Sequence, residues 1–112
     1  MDGIVVSNHG GRQIDGAIAS LEALPPIVDA VGDGMAILLD SGIRSGADIF
    51  KALALGADAV LIGRPYLWGL ALDGQSGVET VLRSLLAELD LTMTLSGFTS
   101  VAEIDSSVLR QA

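Results

Sequence analysis

The chain has 112 residues, half of them hydrophobic, with 14 glycines, no cysteine and a formal net charge of −8. That length holds one domain at most, and the acidic balance argues against nucleic acid or an anionic membrane surface as partner. Without cysteine there are no disulfides or thiolate metal sites, and with no signal-peptide pattern and no apolar run near the about 20 residues of a membrane span, a soluble cytoplasmic protein is expected.

Asp2 to Ser7 opens the chain as a strand. Ile4-Val5-Val6 is continuously apolar rather than alternating, which suits a parallel strand covered on both faces. Residues 8 to 16 form a glycine-rich loop. Ile18, Leu21 and Leu24 have helical spacing, which Pro25-Pro26 interrupts. Either proline can open a further helix through Ile27, Val28 and Val31, ended by Gly32-Asp33-Gly34.

Met35 to Leu39 is the second strand, and Asp40-Ser41-Gly42-Ile43-Arg44 is its loop. Ser45 with Asp48 has the spacing of a capping box. The helix it opens buries Ile49, Phe50, Leu53 and Ala54, and Gly56 closes it in the left-handed conformation. Ala59 to Ile62 is the third strand, with Gly63-Arg64-Pro65 as its loop. Tyr66 to Leu72 is a short helix ended by Asp73-Gly74. Val78, Val81, Leu82, Leu85, Leu86 and Leu89 then form a helical stripe, with Glu79, Arg83 and Glu88 opposite. Thr92 to Leu95 extends it before Gly97. Ser100 and Glu103 spell a second capping box for a last short helix.

Strand and helix alternate three times, so the class is α/β with parallel strands. A closed eight-stranded barrel needs about 250 residues, and three βα units plus C-terminal helices make less than half of one. Met1-Asp2 enters a core strand almost directly. The expectation is a part of a larger barrel, whose open edges and face are covered by a further copy (a homo-oligomer) or by an N-terminal barrel half.

Two regions carry candidate chemistry. His9, the sole histidine, and Arg12 lie in Ser7-Asn8-His9-Gly10-Gly11-Arg12-Gln13, after the first strand. A base beside a fixed cation that can pin a carboxylate is a pairing that acid–base chemistry can use. Imidazole and guanidinium suit those tasks. An isolated His-x-x-Arg, however, reads as an ordinary loop. The loops Asp40–Arg44 and Gly63–Pro65 each read alone as βα punctuation. Two in consecutive units, each with an arginine, point instead to a phosphate. Asn8 and Gln13 read as loop hydrogen bonding, Asp15 as a bond to backbone or arginine, and Tyr66 and Trp68 as core packing. Glu79, Glu88, Asp90, Glu103 and Asp105 read as a solvated acidic surface. One histidine and scattered carboxylates make no metal site.

The heptapeptide above, with Asp15-Gly16 after it, resembles the signature of the FMN-dependent α-hydroxy acid oxidases and dehydrogenases. The resemblance covers nearly the whole chain, and only the C-terminal part of such an enzyme. It implies a TIM (β/α)8 barrel, with residues 1–112 as strands six to eight and the terminal helices. It implies FMN as cofactor and a small L-2-hydroxy acid, lactate- or glycolate-like, as substrate. It implies His9 as catalytic base and Arg12 as carboxylate clamp, both touching substrate. Asp40 would meet the ribityl hydroxyls, and Gly42, Arg44, Gly63 and Arg64 the phosphate. The common family form has glycine at Ser41 and often arginine at Ser45.

The resemblance also places a flavin-side lysine, substrate-contacting tyrosines and a histidine-orienting aspartate on earlier strands that this chain lacks. The isolated chain is therefore expected to be inactive or weak. Two other readings stay open: a half-barrel that holds FMN or phosphate without turnover, and an interaction fragment with relic loops. The enzyme and the half-barrel require anion binding through Arg44 and Arg64, and the interaction fragment does not. Only the catalytic one requires His9. Another phosphate-binding barrel enzyme, of the IMP dehydrogenase kind, is opposed by His-Gly-Gly-Arg-Gln.

Overall fold

The computed structural model describes residues 1–111. Three parallel strands, β1 (Gly3–Val6), β2 (Ala36–Leu39) and β3 (Ala59–Val60), form one sheet in the order β1-β2-β3. Gly3 pairs with Ala36 and Val6 with Leu39, while Leu38 pairs with Ala59. The connections are α1 (Ser20–Val31) and α2 (Gly46–Ala54), and α3 (Arg64–Leu95) follows β3. This is the expected α/β arrangement of three parallel βα units.

The core lies between the sheet and the helices. Leu24 of α1 and Leu39 of β2 are fully buried, among Val6, Ile37, Ile43, Ile49, Ala52 and Leu85. The other face of the sheet is open. Val5 is 53% exposed and Leu61 42% exposed. The strands are thus covered by this chain on one face only, although their unbroken apolar runs suit cover on both. Among the described residues, neither β1 nor β3 has a second strand neighbour.

The helices depart from expectation in a few places. Pro25 and Pro26 do not divide α1, which runs through both from Ser20. They remove the N–H groups that Leu21 and Glu22 carbonyls would accept, but the Leu21, Leu24, Val28 and Val31 stripe stays in phase and packs on the core. The β3 pairing is shorter than Ala59 to Ile62, although the Leu61 N–H still donates to the Leu39 carbonyl at 2.9 Å. The Ser45–Asp48 capping box is formed, and Gly56 takes φ 104°.

Asp73 and Gly74 leave helical geometry and fold α3 back on itself. Gly69 and Gly77 then touch backbone to backbone, with no room for a Cβ on either. Of the stripe beyond, Leu85 is buried and Val81 and Leu89 pack on the core, while Leu82 and Leu86 are exposed. Tyr66 and Trp68 are exposed too, at 38% and 51%, and so are not core residues here. Gly97 (φ 83°) ends α3 and lets Phe98 return onto Phe50, ring centroids 5.9 Å apart.

The last expected capping box is displaced. Glu103 reaches past Ser100 and accepts from the Thr99 N–H (3.0 Å) and hydroxyl (2.9 Å). Two 3-10 turns, Val101–Glu103 and Ser106–Val108, follow in place of a helix, the second capped by Asp105. No helix of the described residues is long and apolar enough to cross a membrane.

Candidate active site

The loops that leave the C-terminal ends of β1, β2 and β3 meet around one cleft of about 560 Å3. Its lining includes His9 and Arg12, then Asp40, Gly42 and Arg44, then Gly63 and Arg64. All seven residues that the resemblance assigns to the site therefore line one cleft. Strand ends of α/β folds collect ligands for this reason, since consecutive loops converge there while the helices bury the rest. Ser41, Ile43, Pro65 and Leu67 complete much of the surface.

The first loop is a tight turn. Asn8 Oδ1 accepts from the Gly10 N–H at 2.9 Å, and Asn8 Nδ2 donates to the Ile18 carbonyl at 3.2 Å. The Gly11 N–H closes on the Asn8 carbonyl. Gly10 and Gly11 take φ 68° and 73°, and His9 itself takes φ 53°. A histidine in the left-handed region is uncommon, and such residues cluster at functional sites. The turn leaves His9 and Arg12 exposed to the cleft. Asp15 makes neither a backbone bond nor an arginine pair among the described residues.

The second loop holds the other non-glycine residue with positive φ among the described residues, Ser41 at 74°. The Ser41 hydroxyl donates to Asp40 Oδ1 at 2.6 Å and accepts from the Gly10 N–H at 3.2 Å. The Ser20 hydroxyl, buried at the start of α1, donates to the Ser41 carbonyl at 2.9 Å. Sequence reasoning treated Ser41 only as a departure from glycine. Two of its three bonding partners, Gly10 and Ser20, lie 31 and 21 residues away, so no local signal could reveal them.

The two helix N-termini beside the cleft differ. At α2 most of the first-turn amides are already taken. Arg44 and Ser45 N–H groups donate to Asp48 Oδ2, Asp48 N–H to Ser45 Oγ, and Gly46 N–H to Glu88 Oε2 at 2.6 Å. Glu88 is thus a helix cap rather than part of a purely solvated surface. At α3 the preceding residue is Gly63, which has no side chain to cap with, and Pro65 sits in the first turn. Its amides and the positive end of the helix dipole stay available to an anion.

The donor set fits a phosphate. Arg44 and Arg64 supply fixed cations, and the Arg64 guanidinium lies close enough that a Cβ on Gly10 would sit 3.2 Å from it. A Cβ at Gly42 or Gly63 would meet nothing within 4 Å, so both backbones face open space. Gly42 has φ 89°. Among the described residues, no three His, Asp or Glu side chains gather to hold a metal.

Comparisons with known proteins agree with this geometry. A family model described as FMN-dependent dehydrogenase matches residues 1–111. An FMN-dependent alpha-hydroxy acid dehydrogenase of Schizosaccharomyces pombe is 68% identical over 94% of this chain and 26% of its own length. An L-lactate oxidase of Nostoc sp. is 62% identical over 95% of this chain and 29% of its own length. A crystal structure of mandelate oxidase with benzoyl-formic acid superposes with a TM-score of 0.86 at 56% identity, covering 89% of this chain and 30% of that one. The chain thus spans under a third of these relatives, and its open parallel sheet is a partial TIM barrel. By sequence and by fold, it belongs to the FMN-dependent dehydrogenase family.

Proposed function

We propose that this chain supplies the C-terminal side of the active site of an enzyme that oxidises a small L-2-hydroxy acid to its 2-oxo acid. Residues 1–112 correspond in this reading to barrel strands six to eight and the terminal helices. The observation that carries it is the meeting of His9 and Arg12 with both glycine–arginine loops in one cleft. The lactate oxidase and mandelate oxidase among its relatives support a substrate of the 2-hydroxy acid class.

The reaction takes two electrons and two protons from the substrate's CH–OH group and leaves a carbonyl. Arg12 receives the substrate carboxylate in its planar fork, which orients the α-carbon and hydroxyl. His9 takes up a proton that the substrate releases. FMN, when bound, would accept the two electrons together with the second proton. Arg44 and Arg64 neutralise its phosphate, helped by the open backbone at Gly42 and Gly63 and the free amides of α3. Asp40 would accept from ribityl hydroxyls with the lone pairs that Ser41 leaves unused.

The open sheet face and edges are covered, in this reading, by an N-terminal barrel half or by a second copy. A second reading, an FMN- or phosphate-holding half-barrel without turnover, is favoured by one observation. The His9 side chain is exposed, and among the described residues no carboxylate fixes its tautomer.

Sizing chromatography with excess FMN tests the proposal. Flavin absorbance that travels with the protein is expected. Anaerobic bleaching of that flavin by L-lactate or glycolate supports the enzyme, and retention without bleaching supports the holder. Flavin that separates from the chain, alone and after addition of an N-terminal barrel half, refutes both.

A further inference from the structure

We infer that Ser41 is a positioning residue, which fixes the turn carrying His9 against the loop carrying Asp40. Its purpose rests on the function proposed above, but its geometry does not. Ser41 joins three separate segments of the chain. Its hydroxyl proton is committed to Asp40 Oδ1 at 2.6 Å, so the oxygen presents lone pairs to the Gly10 N–H at 3.2 Å. Its carbonyl accepts from Ser20 Oγ at 2.9 Å, and Ser20 is 4% exposed. The result is a directed chain, Gly10 N–H to Ser41 O–H to Asp40 carboxylate. The anionic end polarises the hydroxyl and makes it a better acceptor.

Two features show why the turn needs such a partner. Gly10 and Gly11 both have positive φ, and glycine gives a turn the widest conformational freedom. His9 and Arg12 flank that pair, so their separation and aim follow wherever the glycines settle. Asn8 Oδ1 also accepts from the Gly10 N–H, but Asn8 belongs to the same turn, and its other bond, to the Ile18 carbonyl, ties that turn only to the end of its own loop. Ser41 is the contact that refers the turn to the next βα unit. Serine also holds φ 74° here, where glycine would be at ease. Strain of this kind persists where surrounding contacts over-determine the conformation, and the hydrogen bonds named above are those contacts.

The test uses the full chain with 15N-labelled glycine. Ser41→Gly removes the hydroxyl and suits the backbone, so loss of folding is not the expected effect. The Gly10 amide proton is expected to move upfield and to exchange about fivefold faster, the scale of one hydrogen bond. Gly56, distant from the cleft, is expected to stay unmoved. An unchanged Gly10 shift and exchange rate overturn the inference. Asn8→Ala gives a second arm, because Ser41 is then the remaining acceptor at Gly10. A Gly10 amide that stays protected supports the inference, and one that loses all protection overturns it. Neither arm requires flavin. A chain that retains no FMN therefore counts against the proposed function, while the Gly10 amide alone decides the role of Ser41.

Discussion

The Gly46 N–H donates to Glu88 Oε2 at 2.6 Å and joins the first turn of α2 to α3 across 42 residues. The join is close because residue 46 has no side chain. A Cβ there would overlap the Leu89 backbone nitrogen and the backbone of Glu88. Gly46→Ala is therefore expected to destabilise the fold by about 1–3 kcal/mol through overpacking, although alanine is ordinarily the better helix former by about 1 kcal/mol. Glu88→Gln keeps an acceptor and loses only the charge at a helix N-terminus, for about 0.3–1 kcal/mol. Urea unfolding of the variants ranks them. A neutral Gly46→Ala would show that the helices sit farther apart than described.

The phosphate wall makes a prediction that does not involve turnover. Arg64→Ala and Arg44→Ala each remove a charge-assisted contact, worth about 1.5–3 kcal/mol, or roughly ten- to hundredfold in FMN affinity. Arg64→Lys keeps the charge without the fork and should recover only part of the loss. Arg12→Ala, on the substrate side of the cleft, should leave FMN retention in place. Flavin fluorescence titration reads all of these. Equal losses from Arg12→Ala and Arg64→Ala would mean that the wall has no division of labour.

The sequence made the β1, β2 and α2 positions legible because each is a local pattern. The unbroken Ile4-Val5-Val6 run and the Ser45–Asp48 box need no distant partner. The Asp73-Gly74 break was equally plain. Pro25-Pro26 misled because two missing N–H groups weigh less than an apolar stripe that packs along the whole of α1. Tyr66 and Trp68 misled because aromatic residues read as core, whereas this chain leaves them without a covering layer. The site residues of the cleft were found through the resemblance carried by the Ser7–Gln13 motif, since by type and spacing alone each loop reads as ordinary. The links from Ser41 to Gly10 and from Glu88 to Gly46 were not, since each spans 31 or 42 residues.

The C-terminal turns should loosen in acid. The Thr99 backbone N–H, then its hydroxyl, holds the Glu103 carboxyl below its ordinary value of 4.5. The Ser107 side chain and then its backbone N–H do the same for Asp105, ordinarily 3.8. Both pKa values are depressed in the folded chain, so the ionised groups favour the folded turns at a pH above those ordinary values. That contribution fades as the pH falls through the lower folded values. Titration followed at the Thr99 and Ser107 amides should show midpoints below 4.5 and 3.8 respectively. Glu103→Gln should flatten the Thr99 curve and leave Ser107 unaffected. A Thr99 midpoint at or above the ordinary carboxyl value would contradict the observed bonding.

His9→Gln separates catalysis from binding. Glutamine keeps hydrogen-bonding capacity at a similar size, but it has no nitrogen that titrates near neutral pH. His9 shares the cleft with Arg44 and Arg64 but lies on a different loop. FMN retention should therefore survive the change. The rate at which a 2-hydroxy acid bleaches bound flavin should fall by about 10²–10⁴, the usual contribution of a positioned base. More substrate should not restore that rate, because the lost step is proton transfer rather than occupancy. Arg12→Lys should behave differently. It keeps the charge and loses the bidentate fork, so the substrate concentration for half-maximal bleaching rises and part of the rate returns at saturation. Both are measured in whichever assembly bleaches flavin, the chain alone or the chain joined to an N-terminal barrel half. If His9→Gln bleaches as fast as the parent, His9 is not the base, and the cleft's role contracts to holding the cofactor.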